Sequence, residues 1–415
     1  MKQKSIFFLL IMFNCLIIKG QNTNEASCGF NQLWEKIAKT DSQIIKKINQ
    51  FDERLNRALI LNKTSLNTRG SQIIIPVVVH VVWSAIDENV SDNNIHLQID
   101  ILNKAFNAKN SDLDKLPSEF KKLMPINGIS FCLATIDTNG LPTEGIVRTK
   151  TSVKFIGLTD SIFITKLGGS SNWNPDKYLN IWVANTGNYI TGIGSYPNLV
   201  AAYKSGVIIH PRYFGKNTTS KFGSGRVAVH EIGHYLGLYH TWGKLNDTTC
   251  NTSDDVEDTP AQLHAYSGCP EYPQFSCGTS NLFMNYMDYV NDACMFMFTE
   301  GQMQRMLMTI DKYRSGLLNT KVLCSKPNQN ENIKFSVFPN PTLGRIKVEW
   351  VLSSNTEGGK IEVYNSLGQL LIQQFIASNT GYLQLDLTHV PNGIYFLYTK
   401  MIGSTPVSSK ILVSR

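Results

Sequence analysis

His230-Glu231-Ile232-Gly233-His234-Tyr235-Leu236-Gly237-Leu238-Tyr239-His240 is the most informative stretch of this 415-residue chain. Residues four apart on an α-helix share a face, so His230 and His234 direct two imidazoles at one point. Gly237 lets the helix end in a left-handed turn, which swings His240 back as a third nitrogen ligand. Zinc takes such nitrogens at about 2.0–2.1 Å, and three protein ligands leave one position open for water. Glu231 projects beside the metal rather than onto it, where a carboxylate can act as general base. Three of the chain's eight histidines fall on the required positions, with Glu and Gly also in place. That combination sets them apart from ordinary core or surface histidines.

Downstream stands Asn285-Tyr286-Met287-Asp288-Tyr289. Together with the eleven-residue motif it resembles the metzincin zinc peptidases. In these a methionine-bearing turn lies beneath the metal, and a tyrosine two residues on hydrogen-bonds the developing oxyanion. Met287 and Tyr289 are the matching residues. More specific text follows in Tyr239-His240-Thr241-Trp242, Asp258-Thr259-Pro260-Ala261-Gln262 and Ala293-Cys294-Met295-Phe296-Met297-Phe298-Thr299. These resemble the pappalysin family (peptidase family M43), specifically its small microbial members, over residues 75–318. The resemblance implies an α/β (α+β) metzincin-type domain with a twisted mixed sheet and a catalytic helix. It also implies one catalytic zinc, and hydrolysis of protein or peptide substrates by a metal-bound water that Glu231 activates. The substrate cleft is expected between an upper sheet and an irregular lower subdomain, with the strand at 206–209 as the upper edge that pairs with extended substrate. A different class of protein, a non-catalytic surface adhesin using the zinc fold as scaffold, is the alternative. The intact Glu231 weighs against it.

Ser253-Asp254-Asp255-Val256-Glu257-Asp258-Thr259 packs four carboxylates into one loop, and hard oxygen ligands at such density suit calcium. The alternative is a solvated acidic loop. The resemblance favours an ion, with Asp254, Asp258 and Thr259 as its candidate ligands. It also implies a basic residue after the scissile bond, held by an acid near the methionine turn and next to a disulfide cysteine. Here Ala293 precedes Cys294 and the nearest acid is Asp292, the candidate substrate-binding residue, with self-cleavage expected at Thr68–Arg69.

The ends of the chain give its compartment. Lys2 and Lys4 precede an apolar run at 6–18, which reads as a cleaved signal peptide over 1–21 and places the remainder in an oxidising, secreted or cell-surface setting. Without Cys15 of that signal, seven cysteines remain, and six of them alone allow fifteen pairings. The pappalysin resemblance suggests Cys250–Cys277 and Cys269–Cys294, leaving Cys132 and Cys324 either to pair or to stay reduced and buried. Cys28, followed by Gly29, is then the odd one. Proforms of the family place such a cysteine on the zinc, although the arginine often found before it is Ser27 here.

Residues 22–69 are polar and lysine-rich, with Ile37, Ile44, Ile48, Phe51, Leu55 and Leu59 near helical spacing. They read as a helical pro-segment, the alternative being an N-terminal extension of the fold. The β-branched run Ile73–Trp83 opens the metallopeptidase domain, 70–324, as a buried strand. A helix is expected at 96–106, further strands at 129–136, 179–183 and 206–209, and the catalytic helix from about Gly225. A polar linker, 325–333, leads to seven short strands at 335–338, 345–351, 360–364, 370–375, 382–387, 394–398 and 410–413, a β-sandwich by spacing. Val337-Phe338-Pro339-Asn340-Pro341, Val363-Tyr364-Asn365-Ser366-Leu367-Gly368 and Pro391-Asn392-Gly393-Ile394-Tyr395-Phe396 resemble the C-terminal sorting domain of type IX (Por) secretion cargo. That implies the type IX machinery as a partner for 334–415. The net charge of +7 comes without a long basic run, so nucleic acid is not an expected partner, and no internal stretch suits a transmembrane span.

Overall fold

The computed structural model describes residues 27–41, 43–61, 73–141, 143–244, 249–318, 324, 334–351, 359–376, 380–401 and 407–415. The expected signal peptide, the Thr68–Arg69 junction and the linker lie outside the described residues.

Two helices come first, α1 (Phe30–Thr40) and α2 (Ile44–Leu61), where the periodicity suggested one helical stretch. The break falls at Asp41, whose carboxylate accepts from the Gln43 amide and from Lys47. Ile44, Ile48, Phe51 and Leu55 then form the buried face of α2, packed with Tyr196, Leu199, Tyr239 and Met308.

The run of β-branched residues forms β1 (Ile73–Trp83), buried along most of its length. Helix α3 (Asp92–Ala105) follows, capped by the Ser91 hydroxyl accepting from the Asn94 amide, and then a single turn, α4 (Ser118–Lys121). Strands β2 (Ile129–Leu133) and β3 (Ile146–Lys150) share one side of β1, the first along its start and the second along its end. On the other side lies β4 (Leu179–Ala184). Two short strands complete the sheet, β5 (Gly192–Gly194) and β6 (Val207–Ile209). The order is β2-β1-β4-β6-β5, with β3 also on β1, all parallel except the antiparallel β5. This corrects the expectation for residues 206–209. β6 lies between β4 and β5, so its backbone groups are taken on both sides, and the edge is β5.

Helix α5 (Arg226–Tyr235) carries the histidine motif and is buried at every position. Beyond it the chain runs irregularly, with a small hairpin of β7 (Phe275–Ser276) and β8 (Thr279–Ser280), before α6 (Glu300–Tyr313). Disulfides join Cys250 to Cys277 and Cys269 to Cys294 in this irregular region, and Cys132 to Cys324 closes the domain's far end. One core of β1, β4, β6, α3, α5 and α6 side chains unites the elements.

The C-terminal residues form β9 (Lys334–Phe338), β10 (Arg345–Val351), β11 (Gly359–Asn365), β12 (Leu370–Ile376), β13 (Thr380–Asp386), β14 (Gly393–Met401) and β15 (Val407–Val413). They pair antiparallel as two sheets, β13-β10-β9 and β12-β11-β14-β15. Ile346, Val348, Trp350, Ile361, Val363 and Leu397 are among the side chains that fill the space between them, making a small all-β sandwich.

Candidate metal centre

Positions 230 and 234 stack on one face of α5, and their ring Nε2 atoms lie 3.1 Å apart. The helix stops because Gly237 adopts φ +89°, and the Leu238 amide turns back to the Gly233 carbonyl at 2.9 Å. His240 arrives through this turn with its Nε2 also 3.1 Å from that of His234. Each of the first two rings is oriented from behind. His230 Nδ1 donates to the Tyr286 carbonyl at 2.7 Å and His234 Nδ1 to that of Leu238 at 2.8 Å. That tautomer leaves both Nε2 lone pairs free for a cation. Burial also lowers the pKa of all three rings, His230 to about 4, which keeps them in the neutral ligand form.

Glu231 lies beside this cluster, fully buried, and burial pushes its carboxyl up to about 8. Its Oε1 has no hydrogen-bond partner among the described residues. Beneath the helix Met287 is fully buried, and a Cβ built on Gly233 would lie 2.5 Å from its sulfur, so only glycine permits this approach. Strand β5 approaches as closely from the other side. Cβ atoms at Gly192 and Gly194 would meet Glu231 Cγ at 2.7 Å and the Glu231 carbonyl at 2.4 Å. Tyr289 stands with its ring 5.8 Å from His230 and 4.9 Å from His240.

The fourth corner is Cys28. Its ligand atom and those of His230, His234 and His240 all lie within 4.8 Å of one another, all buried. Three nitrogens and a sulfur in one buried cluster make a donor set that fits zinc. The thiol also reaches Glu231 Oε2 at 3.5 Å and hydrogen-bonds the Tyr289 side chain. Burial and the Glu231 charge push the thiol pKa up, and a cation beside it reverses that logic. Residues 27–29 are held by the edge of the sheet. Ser27 donates to the Tyr189 carbonyl at 3.0 Å, Thr191 to Ser27 at 2.9 Å and Gly29 to Gly192 at 2.8 Å. Phe30 then stacks on His234, centroids 4.0 Å apart.

Residues 166–311 match the family model described as pregnancy-associated plasma protein-A (Peptidase_M43), and residues 336–414 match the secretion system C-terminal sorting domain. Mature mirolysin of Tannerella forsythia, solved in complex with a cleaved peptide, is 40% identical. The match covers 60% of this chain and 97% of that one, with a TM-score of 0.58. The chain belongs to the pappalysin family. A promirolysin variant from the same organism is 37% identical, covering 70% of this chain and 97% of that chain at a TM-score of 0.63. An extracellular metalloprotease of Arthroderma benhamiae is 35% identical over 145 residues, 33% of this chain and 52% of that protein. The chain thus spans about half the length of the first curated relatives it matches.

Other residues singled out in this pappalysin sequence divide. Asp254 and Thr259 are both buried, and Asp254 Oδ2 and Thr259 Oγ1 meet no partner in hydrogen-bonding geometry among the described residues. Burial raises the Asp254 carboxyl to about 8. Asp258 is turned elsewhere, accepting from Thr299 Oγ1 at 2.7 Å and the Gly301 amide at 2.9 Å at the start of α6. Asp292 is 2% exposed, and its Oδ2 accepts from the Ser224 amide at 2.7 Å and the Arg226 amide at 3.3 Å, at the N-terminus of α5. Its Oδ1 has no partner among the described residues.

Sequence reasoning missed three contributors. Phe30 follows Cys28-Gly29 directly, and an aromatic next to the candidate ligand cysteine is the signal that was there to read. Asp288 accepts from Gln262 Nε2 at 2.6 Å, the Tyr266 amide at 2.8 Å and the Tyr289 amide at 2.7 Å, tying the acidic loop's end to the methionine turn. Strand β5 has only three residues, two of them glycine, too short for a strand pattern to show.

Proposed function

We propose that this chain is a secreted zinc-dependent endopeptidase made as a latent precursor. Its parts are a signal peptide (1–21), a pro-segment (22–69), a metallopeptidase domain (70–324), a linker (325–333) and a sorting sandwich (334–415). The observation that carries this reading is the convergence of three histidine Nε2 atoms beside the fully buried Glu231 carboxylate. The sorting-domain match supports export through the type IX machinery, and the relatives named as extracellular metalloproteases support the compartment.

His230, His234 and His240 would hold the zinc, which supplies Lewis acidity and lowers the pKa of water. Glu231 then takes a proton from the attacking water and returns it to the leaving amine. Its buried setting suits that exchange near neutral pH. The Tyr289 hydroxyl donates to the oxyanion that develops on the substrate carbonyl, the kind of contact that strengthens only in the transition state. Met287 supports the ligand helix from below. An extended substrate would add to the β5 edge through main-chain hydrogen bonds. Residues 27–29 occupy that edge in the precursor, so pro-segment and substrate compete for it.

A calcium ion bound at Asp254 and Thr259 would neutralise a carboxylate whose burial otherwise disfavours the anion. Chelation by EGTA, with zinc replenished, should lower the melting temperature by roughly 5 °C. An Asp254→Ala variant should show no further loss, and an EGTA-insensitive parent would remove the ion from the account.

The test of the whole proposal uses the purified chain after maturation by an added protease, with a protein substrate. Hydrolysis should disappear with a zinc chelator and return with zinc. A zinc-replete, matured chain that binds protein surfaces but cleaves nothing would support the adhesin alternative instead.

A further inference from the structure

Where α2 meets α6 the molecule buries a second polar centre, separate from the metal ligands. Arg305 is fully buried, and its Nη2 reaches Asp52 Oδ1 at 2.6 Å. Tyr196 Oη donates to the same oxygen at 3.3 Å. The other oxygen, Oδ2, accepts from Tyr239 Oη at 2.9 Å and lies 2.8 Å from Lys244 Nζ. One carboxylate therefore receives two donors on each oxygen, and Asp52 is itself only 3% exposed.

All four donors belong to residues after 70, whereas Asp52 belongs to the segment before. The donors are also held without it. Arg305 Nε donates to the Gly237 carbonyl at 2.8 Å, and Lys244 pairs with Asp255 at 2.8 Å. The Tyr196 and Tyr239 rings stack with centroids 4.9 Å apart. Removing Asp52 takes away the carboxylate that is in ion-pair contact with Arg305 among the described residues; Asp255 stays on Lys244, and the buried Asp254 acts on Arg305 only at longer range. A buried charge without its partner is strongly unfavourable, so such a site calls for an anion. Paired donors on each of two oxygens fit a planar carboxylate.

We propose that Arg305, Lys244, Tyr196 and Tyr239 form a carboxylate-binding site of the peptidase domain, which Asp52 fills in the precursor. Once the pro-segment leaves, the site takes the carboxylate of an acidic peptide or of a small organic acid. The second clause rests on the latent-precursor reading; the first does not. The occupant bears on the metal centre through the backbone. Gly237, whose carbonyl accepts from both Arg305 and Tyr196, ends the ligand helix, and Tyr239 directly precedes His240.

The test uses the full chain in a Glu231→Ala background, so that no self-cleavage intervenes. Asp52→Ala empties the site and keeps its donors. Amide hydrogen exchange across residues 44–61 should then accelerate by roughly 30-fold or more. Acetate should slow it again, and chloride or acetamide at the same concentration should not. Asp52→Asn, which keeps the shape and loses the charge, provides the same reading should the alanine variant fail to fold. Parent-like exchange in both variants, or recovery with chloride equal to that with acetate, overturns the proposal. A second arm titrates the matured chain with acetate and with a synthetic 44–61 peptide, separating a free acid from a peptide carboxylate. The peptide should bind, and its Asp52→Asn form should bind roughly 30-fold more weakly. Equal binding of the two peptides, with no binding of acetate, overturns the second clause. If the pro-segment is never released, the first arm still decides the site.

Discussion

Cys28 Sγ lies 3.5 Å from Glu231 Oε2 while sharing one buried cluster with the three histidine ligands. A single sulfur thus lies within reach of both the proposed base and the proposed metal ligands. A thiolate displaces water readily from such a position. The precursor carrying Cys28→Ala should therefore mature sooner than the parent, followed as loss of the full-length band over time. Equal maturation rates would remove Cys28 from the latency mechanism.

Asp292 bears on specificity. Its Oδ2 caps the start of α5, and its Oδ1 is buried without a partner among the described residues. A carboxylate available to guanidinium gains a charge-assisted, bidentate bond. Profiling on a peptide library should show a preference for arginine after the scissile bond that Asp292→Ala abolishes. The variant should also lose about 1 kcal/mol of stability with the cap. N-terminal sequencing should place the mature start at Arg69. A start far from Arg69, together with indifference to arginine, would refute both.

Much of this architecture was readable because its causes are local. The four-residue spacing of His230 and His234 and the glycine at 237 specify a ligand face and a stop within one short stretch. The β-branched residues of Ile73–Trp83 leave few options besides a buried strand, and the C-terminal strands are punctuated by their own turns. What escaped depends on distant partners. Nothing in Gly192-Ile193-Gly194 marks it as the sheet's edge; its glycines record only how closely α5 passes. Asp52 and Arg305 are 253 residues apart, and neither has meaning alone. Asp258 looked like one more member of an acidic loop. Its carboxylate instead serves the first turn of α6, a helix announced by the Thr299 and Gln302 capping box, which went unread.

His80 makes the chain sensitive to acid. It lies fully buried in β1, its ring nitrogens 2.8 Å from Ser170 Oγ and 3.0 Å from Asn180 Oδ1. Burial lowers its pKa from 6.5 to about 4. The unfolded ring takes a proton where the folded ring does not, so this contribution is complete above about pH 6.5 and is lost as pH falls through about 4. Between pH 7 and pH 5 the loss should be roughly 2 kcal/mol. Denaturant unfolding at both values should show that much less pH dependence in His80→Gln. Identical pH dependence in the two proteins would show that His80 does not carry it.

Glu231 is the group on which the proposed chemistry depends, because it removes a proton and holds no metal. The most direct measurement is the hydrolysis rate of Glu231→Ala in the Cys28→Ala background, where latency cannot mask the result, after maturation by an added protease and with zinc content measured alongside. One zinc per chain is expected, as in the Cys28→Ala parent, with turnover lower by on the order of 10²–10⁴. Zinc-replete protein that hydrolyses substrate at close to the parent rate would contradict it.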